Sequence, residues 1–315
     1  MSIERGWVVK IKQINNLSND EYHNSEQYSE YWSSSNIKKY LTTPKEAFFQ
    51  KYNATPKEIQ GAEFGSQLHD FLASKHVNGQ PFEWNVFEPP INQTTGASYG
   101  DSTQRYRSAA SKIVNPITPQ RFELINDIWR MMQKSSYGWY IYEKILRQGI
   151  AEPSFFVEGL HKYKYRPDVL TDKCIFDWKS VAKNYWSEKG LKYRVTDLGY
   201  HISAAMYQYF EHQRTGIWRP FIVIWIMKDP PFDILIDDIS KNFAYEVSGN
   251  EVIAHSGALI FKDLKDQHEL CQVAGQWPGL ANQYDRIAGV RMADYLPSSF
   301  QEQGYSQFNI DVDGF

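Results

Sequence analysis

Apolar and polar positions along the chain follow two periods, and each predicts its own elements. "RPFIVIWIMKDPP" is apolar over a strand's length and bounded by prolines, which predicts a strand buried on both faces. In "CIFDWKSV" a period of two sets Cys174, Phe176 and Trp178 on one face and Ile175, Asp177, Lys179 and Val181 on the other. Turn formers at Thr171–Asp172–Lys173 join this run to "YKYRPDVL", so the two read as a hairpin. If Asp172 and Lys173 are the turn residues, Leu170 lies opposite Ile175 and Asp168 opposite Asp177. Asp-Lys is not a favoured turn pair, so a slip by one residue stays open. "AEPSFFVEGL" reads as the strand before the hairpin and "FDILIDDI" as a later one.

Helical spacing fills the rest. "YWSSSNIKKYLTTPKEAFFQKYN" predicts a Ser-capped helix, a break at Pro44 and a second short helix. "AEFGSQLHDFLAS" places Phe64, Leu68, Phe71 and Leu72 on one face with His69 beside it. "TPQRFELINDIWRMMQKS" begins at the cap Thr118, and "YGWYIYEKILRQG" ends at Gly149. "TDLGYHISAAMYQYFEHQRTG" carries Leu198, Ile202, Ala205 and Tyr209 at helical spacing and stops at Gly216, and "ALIFKDLKDQHELCQVAGQ" is a terminal helix. Residues 77–104 read as a long loop. Residues 1–30 read as a polar arm, loosely packed, with a β-like run "GWVVKIKQI"; residues 297–315 read as a tail with little core potential. The order predicts an α/β (α+β) core with a mixed sheet and helical decoration, not a dinucleotide fold: GxGxxG and the P-loop are both absent.

Composition narrows the function classes. The 315 residues, 42% hydrophobic, support a sizeable core. A net charge of −3 and a pI near 6.3 give no global basic signal, so any nucleic-acid contact rests on local patches. Cys174 and Cys271 are too few for a disulfide framework, a four-cysteine zinc site or an iron–sulfur cluster, and they suit a reducing cytoplasm. The sequence shows no apolar run of membrane-spanning length and no secretory signal. Aromatics at 16% are high, and some are candidate stacking platforms for bases.

The hairpin carries the chemistry. Two carboxylates face to face repel unless a cation lies between them. Asp168 and Asp177, with the main-chain carbonyl of Trp178 and water, form an oxygen-rich set suited to magnesium. Such an ion activates water and stabilises charge in phosphodiester hydrolysis. Lys179 suits orienting or deprotonating the attacking water. Glu152 is a further candidate ligand or base, and His69 completes the site if its helix packs over the sheet edge. Taken singly, an Asp and a Lys alternating on a strand are most often a solvated ion pair, Asp168 a turn residue and His69 a core histidine. Their conjunction favours a site.

Together these residues resemble the PD-(D/E)xK nuclease superfamily, and within it the phage and prophage exonucleases of the exonuclease VIII type, related more distantly to lambda exonuclease. "YRPD" followed by "DWK" looks like the Arg-Pro-Asp and Asp-x-Lys signature, which implies metal-binding Asp168 and Asp177 and a catalytic Lys179. "FGSQLHDFL" is similar to the family's Gly-x-x-x-His helix and implies that His69 is a metal ligand; "EPSFF" fits its Glu-x-Ser strand at Glu152. "YWSSSNIKKYLTTPKEAFFQKY" resembles the N-terminal helix pair and "QWPGL" the Trp-x-Gly element. One departure is "YHISAAMY": Tyr207 matches, but Ser203 stands where the family has a glutamine that ties the catalytic groups together, so water or His201 would fill in.

The resemblance implies a single restriction-endonuclease-like domain over residues 31–296, with a β-hairpin active site. It also implies a magnesium- or manganese-dependent exonuclease using two ions, which degrades one strand of linear duplex DNA from the 5′ end and leaves 3′ overhangs for recombination. Expected partners are DNA ends, further copies of the chain in a ring and a single-strand annealing protein. The implied place is a bacterial or phage-infected cytoplasm. Candidate DNA contacts are Ser35, Lys38, Lys39 and Lys45 near the N-terminal helices and Arg105, Arg107 and Lys112 near the long loop. The alternatives are an endonuclease or nickase of the same superfamily and a non-catalytic DNA-binding or assembly protein that keeps the fold. Ser203 speaks for the last.

Overall fold

The computed structural model describes residues 10–53, 62–76 and 83–279. The strands are β1 (Lys10–Ile14), β2 (Asn85–Val86), β3 (Pro116–Ile117), β4 (Ile150–Ala151), β5 (Ser154–Glu158), β6 (Tyr163–Tyr165), β7 (Val169–Leu170), β8 (Ile175–Val181), β9 (Phe221–Met227), β10 (Asp233–Asp238), β11 (Tyr245–Ser248) and β12 (Glu251–Ala254). The helices are α1 (Asn19–Asn24), α2 (Ser34–Ile37), α3 (Pro44–Tyr52), α4 (Ala62–His76), α5 (Gln104–Ala110), α6 (Pro119–Lys134), α7 (Gly138–Tyr140), α8 (Glu188–Asp197), α9 (Tyr200–Thr215), α10 (Ser240–Phe243) and α11 (Ser256–Ala274).

β9 is an interior strand, between β10 and β8, because its sequence is apolar without interruption, and each of its residues is buried. The main sheet has the order β10-β9-β8-β7-β4; β8 and β9 run parallel, and the other pairs are antiparallel. Parallel neighbours need a crossover, which α8 and α9 supply. On one face Val223 and Trp225 of β9, with Ile175 and Val181 of β8, pack on Ile202 and Met206 of α9 and Phe261 of α11. On the other, Ile222 and Ile224 with Phe176 and Trp178 meet Leu68 and Leu72 of α4 and Ile125 and Ile128 of α6. Each large apolar side chain buried in this way contributes about 1.5–3 kcal/mol. This is the mixed sheet flanked by helices that the pattern predicts.

The N-terminal segment differs from the loosely packed arm its polar composition suggests. β1 pairs with β5 from Lys10↔Glu158 to Ile14↔Ser154, in a second sheet of order β1-β5-β6. Tyr22 and Tyr28 pack on Phe156, and the buried Lys164 Nζ donates to the Tyr22 carbonyl at 2.6 Å. The fastening partners lie far along the chain, so local composition carries no trace of them. Residues 1–9 and the tail expected over 297–315 lie outside the described residues, as do residues 77–82 of the expected long loop. The remainder of that loop includes β2, paired in parallel with β3, and an isolated bridge between Ile91 and Ser98. Pro44 opens α3 behind the cap Thr43, and Arg105 and Arg107 lie on α5.

α9 starts at Gly199, whose φ of +63° is left-handed. A Cβ there would also fall 2.7 Å from Lys38 Cδ, so glycine satisfies both the backbone and the close approach. Among the described residues no helix is long and apolar enough to cross a membrane.

Candidate active site

The β7–β8 turn closes as its sequence predicts. The Thr171 amide donates to the Cys174 carbonyl at 3.0 Å, and Thr171 Oγ1 accepts from the Cys174 amide at 2.9 Å. Leu170 therefore faces Ile175, and Val169 faces Phe176. Arg219 Nε pins the turn from outside by donating to the Asp172 carbonyl at 3.0 Å. The ladder ends at Val169, one residue short of Asp168, and the Asp168 side chain continues it: Oδ2 accepts from the Trp178 amide at 2.6 Å.

α4 lays His69 over this end of the sheet, with Nδ1 3.4 Å from Asp168 Oδ1. One residue along β8, Asp177 forms an ion pair with Lys179. Lys179 Nζ also donates to the Trp178 carbonyl at 3.2 Å and sits 5.2 Å from the Tyr200 ring centre. His69, Asp168, Trp178 and Lys179 line one cleft of about 530 Å³, together with Glu152, Arg166, Ser35 and Tyr207.

The charges in the cleft set one another. Burial pushes the Asp168 carboxyl up, but the His69 charge and hydrogen bond, Lys179 and the Trp178 amide outweigh it and hold it at about 2. Burial also pushes Asp177 up, and Lys179 does not reverse this because Asp168 adds to it. For Lys179 burial favours the neutral amine, yet Asp177 and Asp168 keep it charged to well above the ordinary lysine range. His69 is likewise raised: burial opposes, and Asp168 prevails. Next to it, Asp70 is pushed up to about 6 by burial and then by the Glu152 charge.

The donors fit a hard divalent cation in kind: carboxylate oxygens, a strand carbonyl and an imidazole. Among the described residues, however, no three or more His, Cys, Asp or Glu are drawn into a ready cage. The carboxylates instead meet Lys179, His69 and the Trp178 amide, the positive partners that buried carboxylates need.

Other expected residues fall in varied places. Glu152 is not on a strand: it sits at the break between β4 and β5 with a φ of +46°, a conformation that costs about 1–3 kcal/mol for a non-glycine residue. Its amide donates to the Asp168 carbonyl at 2.9 Å, and its carboxylate pairs with Arg166. Ser35 is exposed on the rim. Lys38 turns inward, donating to the Leu198 carbonyl at 3.1 Å, and burial and then the Lys179 charge lower it to about 8. Lys39 is exposed and lies off the cleft lining. Arg105 donates to the Tyr99 hydroxyl at 2.7 Å, and Arg107 to the Ser102 carbonyl at 2.6 Å, also away from the lining.

On α9, Ser203 Oγ points back to the Gly199 carbonyl at 3.5 Å. His201 does not stand in for the missing glutamine: its ring is buried, with Nδ1 2.9 Å from the Val195 carbonyl. Tyr207 faces the cleft, and burial, with Asp177 and Asp168, pushes its hydroxyl up to about 12. Sequence reasoning missed Arg166, Tyr200, Arg194 and Lys228, all of which line the cleft. Arg166 stands inside the quoted "YRPD", and Tyr200 lies on the Tyr207 side of α9; the other two have no local signal.

Residues 33–260 match the model of the PDDEXK-like domain of unknown function (DUF3799). No curated protein matches the chain significantly. Among solved structures, the chain is similar to a protein from Eubacterium rectale named "putative exonuclease", with a TM-score of 0.52 and 17% identity over 83% of this chain and 88% of that one. At that identity the likeness shows the fold.

Proposed function

The chain belongs to the PDDEXK-like family, and from that premise we propose that it is a metal-dependent exonuclease of the exonuclease VIII type. It hydrolyses one strand of linear duplex DNA from the 5′ end and leaves a 3′ overhang. The observation that carries this reading is that Asp168, Lys179 and His69 line one cleft, with Asp177 ion-paired to Lys179. The name of the Eubacterium rectale neighbour points the same way.

In this reading Asp168, Asp177, His69 and the Trp178 carbonyl hold magnesium or manganese. When bound, the metal supplies an activated water and charge neutralisation at the phosphate. Without metal, Asp177 and Asp168 keep Lys179 as the ammonium; a cation held by those carboxylates would weaken that hold. Its role is to orient the attacking water and stabilise charge on the phosphate. His69 and the Trp178 amide hold the Asp168 carboxylate in one orientation, which is the positioning that such chemistry needs. Glu152, tied to Arg166, supports Asp168 through its amide. A homo-oligomeric ring around the DNA and a single-strand annealing partner belong to the same proposal.

The test is a gel time course on linear duplex labelled at one 5′ end, beside closed circular DNA, with magnesium or with chelator. Metal-dependent loss of the labelled strand alone, from linear DNA alone, is the expected outcome. Nicking of the circle would replace the reading with an endonuclease. No cleavage with magnesium or manganese would mark the chain as a non-catalytic DNA-binding protein, and Ser203 as the trace of that loss.

A further inference from the structure

The cleft holds more positive charge than its carboxylates use. Arg166 is taken by Glu152, Lys179 by Asp177 and His69 by Asp168. Arg194 and Lys228 line the same cleft, and neither forms an ion pair or a side-chain hydrogen bond with a described residue.

Each is placed by the fold. The Arg194 guanidinium lies over the Tyr185 ring, 4.7 Å from its centre, which fixes its direction. Its Nε is buried with no acceptor, a costly state unless a ligand supplies one. Lys228 follows β9 directly, and its amide donates to the Val181 carbonyl at 3.0 Å. That bond carries the parallel pairing one step beyond Val181↔Met227 and sets Lys228 at the carboxyl ends of β8 and β9, the edge where open sheets of this kind take ligands. Ser180, beside Lys179, completes the lining there.

We propose that Arg194 and Lys228 form a subsite for one nucleic-acid backbone phosphate, next to the linkage held at Asp168, Asp177 and Lys179. This rests on the nuclease reading above. The guanidinium fork of Arg194 fits two phosphate oxygens, and Lys228 adds a point charge with freely rotating donors. Such a contact sets the register of the strand without reading its bases.

The experiment measures binding without turnover. A labelled duplex is titrated in calcium buffer against the parent chain, R194M/K228M and R194K, after thermal melts have shown that each is folded. The duplexes carry a neutral methylphosphonate at one linkage at a time. At one linkage the neutral group should weaken the parent about tenfold and leave R194M/K228M unaffected, while R194K keeps most of the effect. The double variant should also lower the slope of log affinity against log salt by about 0.9, the value for one neutralised phosphate. Equal binding by parent and double variant at every linkage would overturn the subsite, and so would a loss spread evenly over all linkages. In either case cleavage by the parent would leave the nuclease reading standing. A parent that neither binds nor cuts DNA would overturn both.

Discussion

Replacing Lys179 with methionine removes the positive partner of Asp177 while keeping most of the side chain's volume. Asp177 and Asp168 are then left as neighbouring, largely buried carboxylates, with their side chains 14% and 16% exposed. Breaking one partner out of a buried pair costs about 3–5 kcal/mol. Protonation sets the ceiling. Returning a proton at pH 7 to a carboxyl with an unfolded pKa near 3.9 costs about 4.2 kcal/mol, and at pH 5.5 about 2.2 kcal/mol. The sign follows from Asp177, which burial already raises and which rises further without Lys179. A carboxyl raised in the folded state lowers stability increasingly as pH climbs above its unfolded pKa. K179M should therefore be less stable than the parent by up to about 4 kcal/mol at pH 7, and by about 2 kcal/mol less than that at pH 5.5. Urea unfolding of both proteins in chelator from pH 5.5 to 8 measures this. D177N/K179M, which removes the stranded charge, should return to within about 1 kcal/mol of the parent. A penalty that does not change with pH, or a double variant as unstable as the single, would refute the electrostatic argument. In magnesium, K179M should cut DNA about 10²–10³-fold more slowly.

Asp177→Ala should abolish metal-dependent cleavage in the gel assay while circular dichroism melts show the fold retained; cleavage at the parental rate would remove Asp177 from the site. His268 is buried beneath Trp32, its Nδ1 3.0 Å from the Tyr40 hydroxyl, and burial, then His161, Lys265 and Lys51, lower it to about 3. The unfolded chain takes up that proton first as pH falls, so stability should drop by about 2 kcal/mol between pH 6.5 and 5, and His268→Asn should remove this share of the slope in denaturant titrations. Glu211 is fully buried, bonded to Arg214, Arg219 and the Tyr165 hydroxyl. Glu211→Ala strands Arg219 and should cost about 3–5 kcal/mol, read as a lower melting temperature; a loss below about 1 kcal/mol would show that the network adds little.

What could be read before folding was local. Alternation in "CIFDWKSV", with turn formers before it, specifies the hairpin register that brings Asp168 to Asp177, because strand faces repeat every second residue. An uninterrupted apolar run marks β9 as buried on both faces, and caps at Thr43 and Thr118 mark helix starts. Where distant segments meet, tertiary structure decided. Lys38 points at the Leu198 carbonyl because α2 packs against the start of α9, and His201 turns to Val195 because the α8–α9 junction folds back on itself. Glu152 leaves its strand where two sheets part, with Arg166 holding its carboxylate. Arg194 and Lys228 reach the cleft through a crossover helix and through the parallel β8–β9 register. Such placements follow from contacts between segments far apart in the chain, and hydrophobic periodicity within one segment holds no record of them.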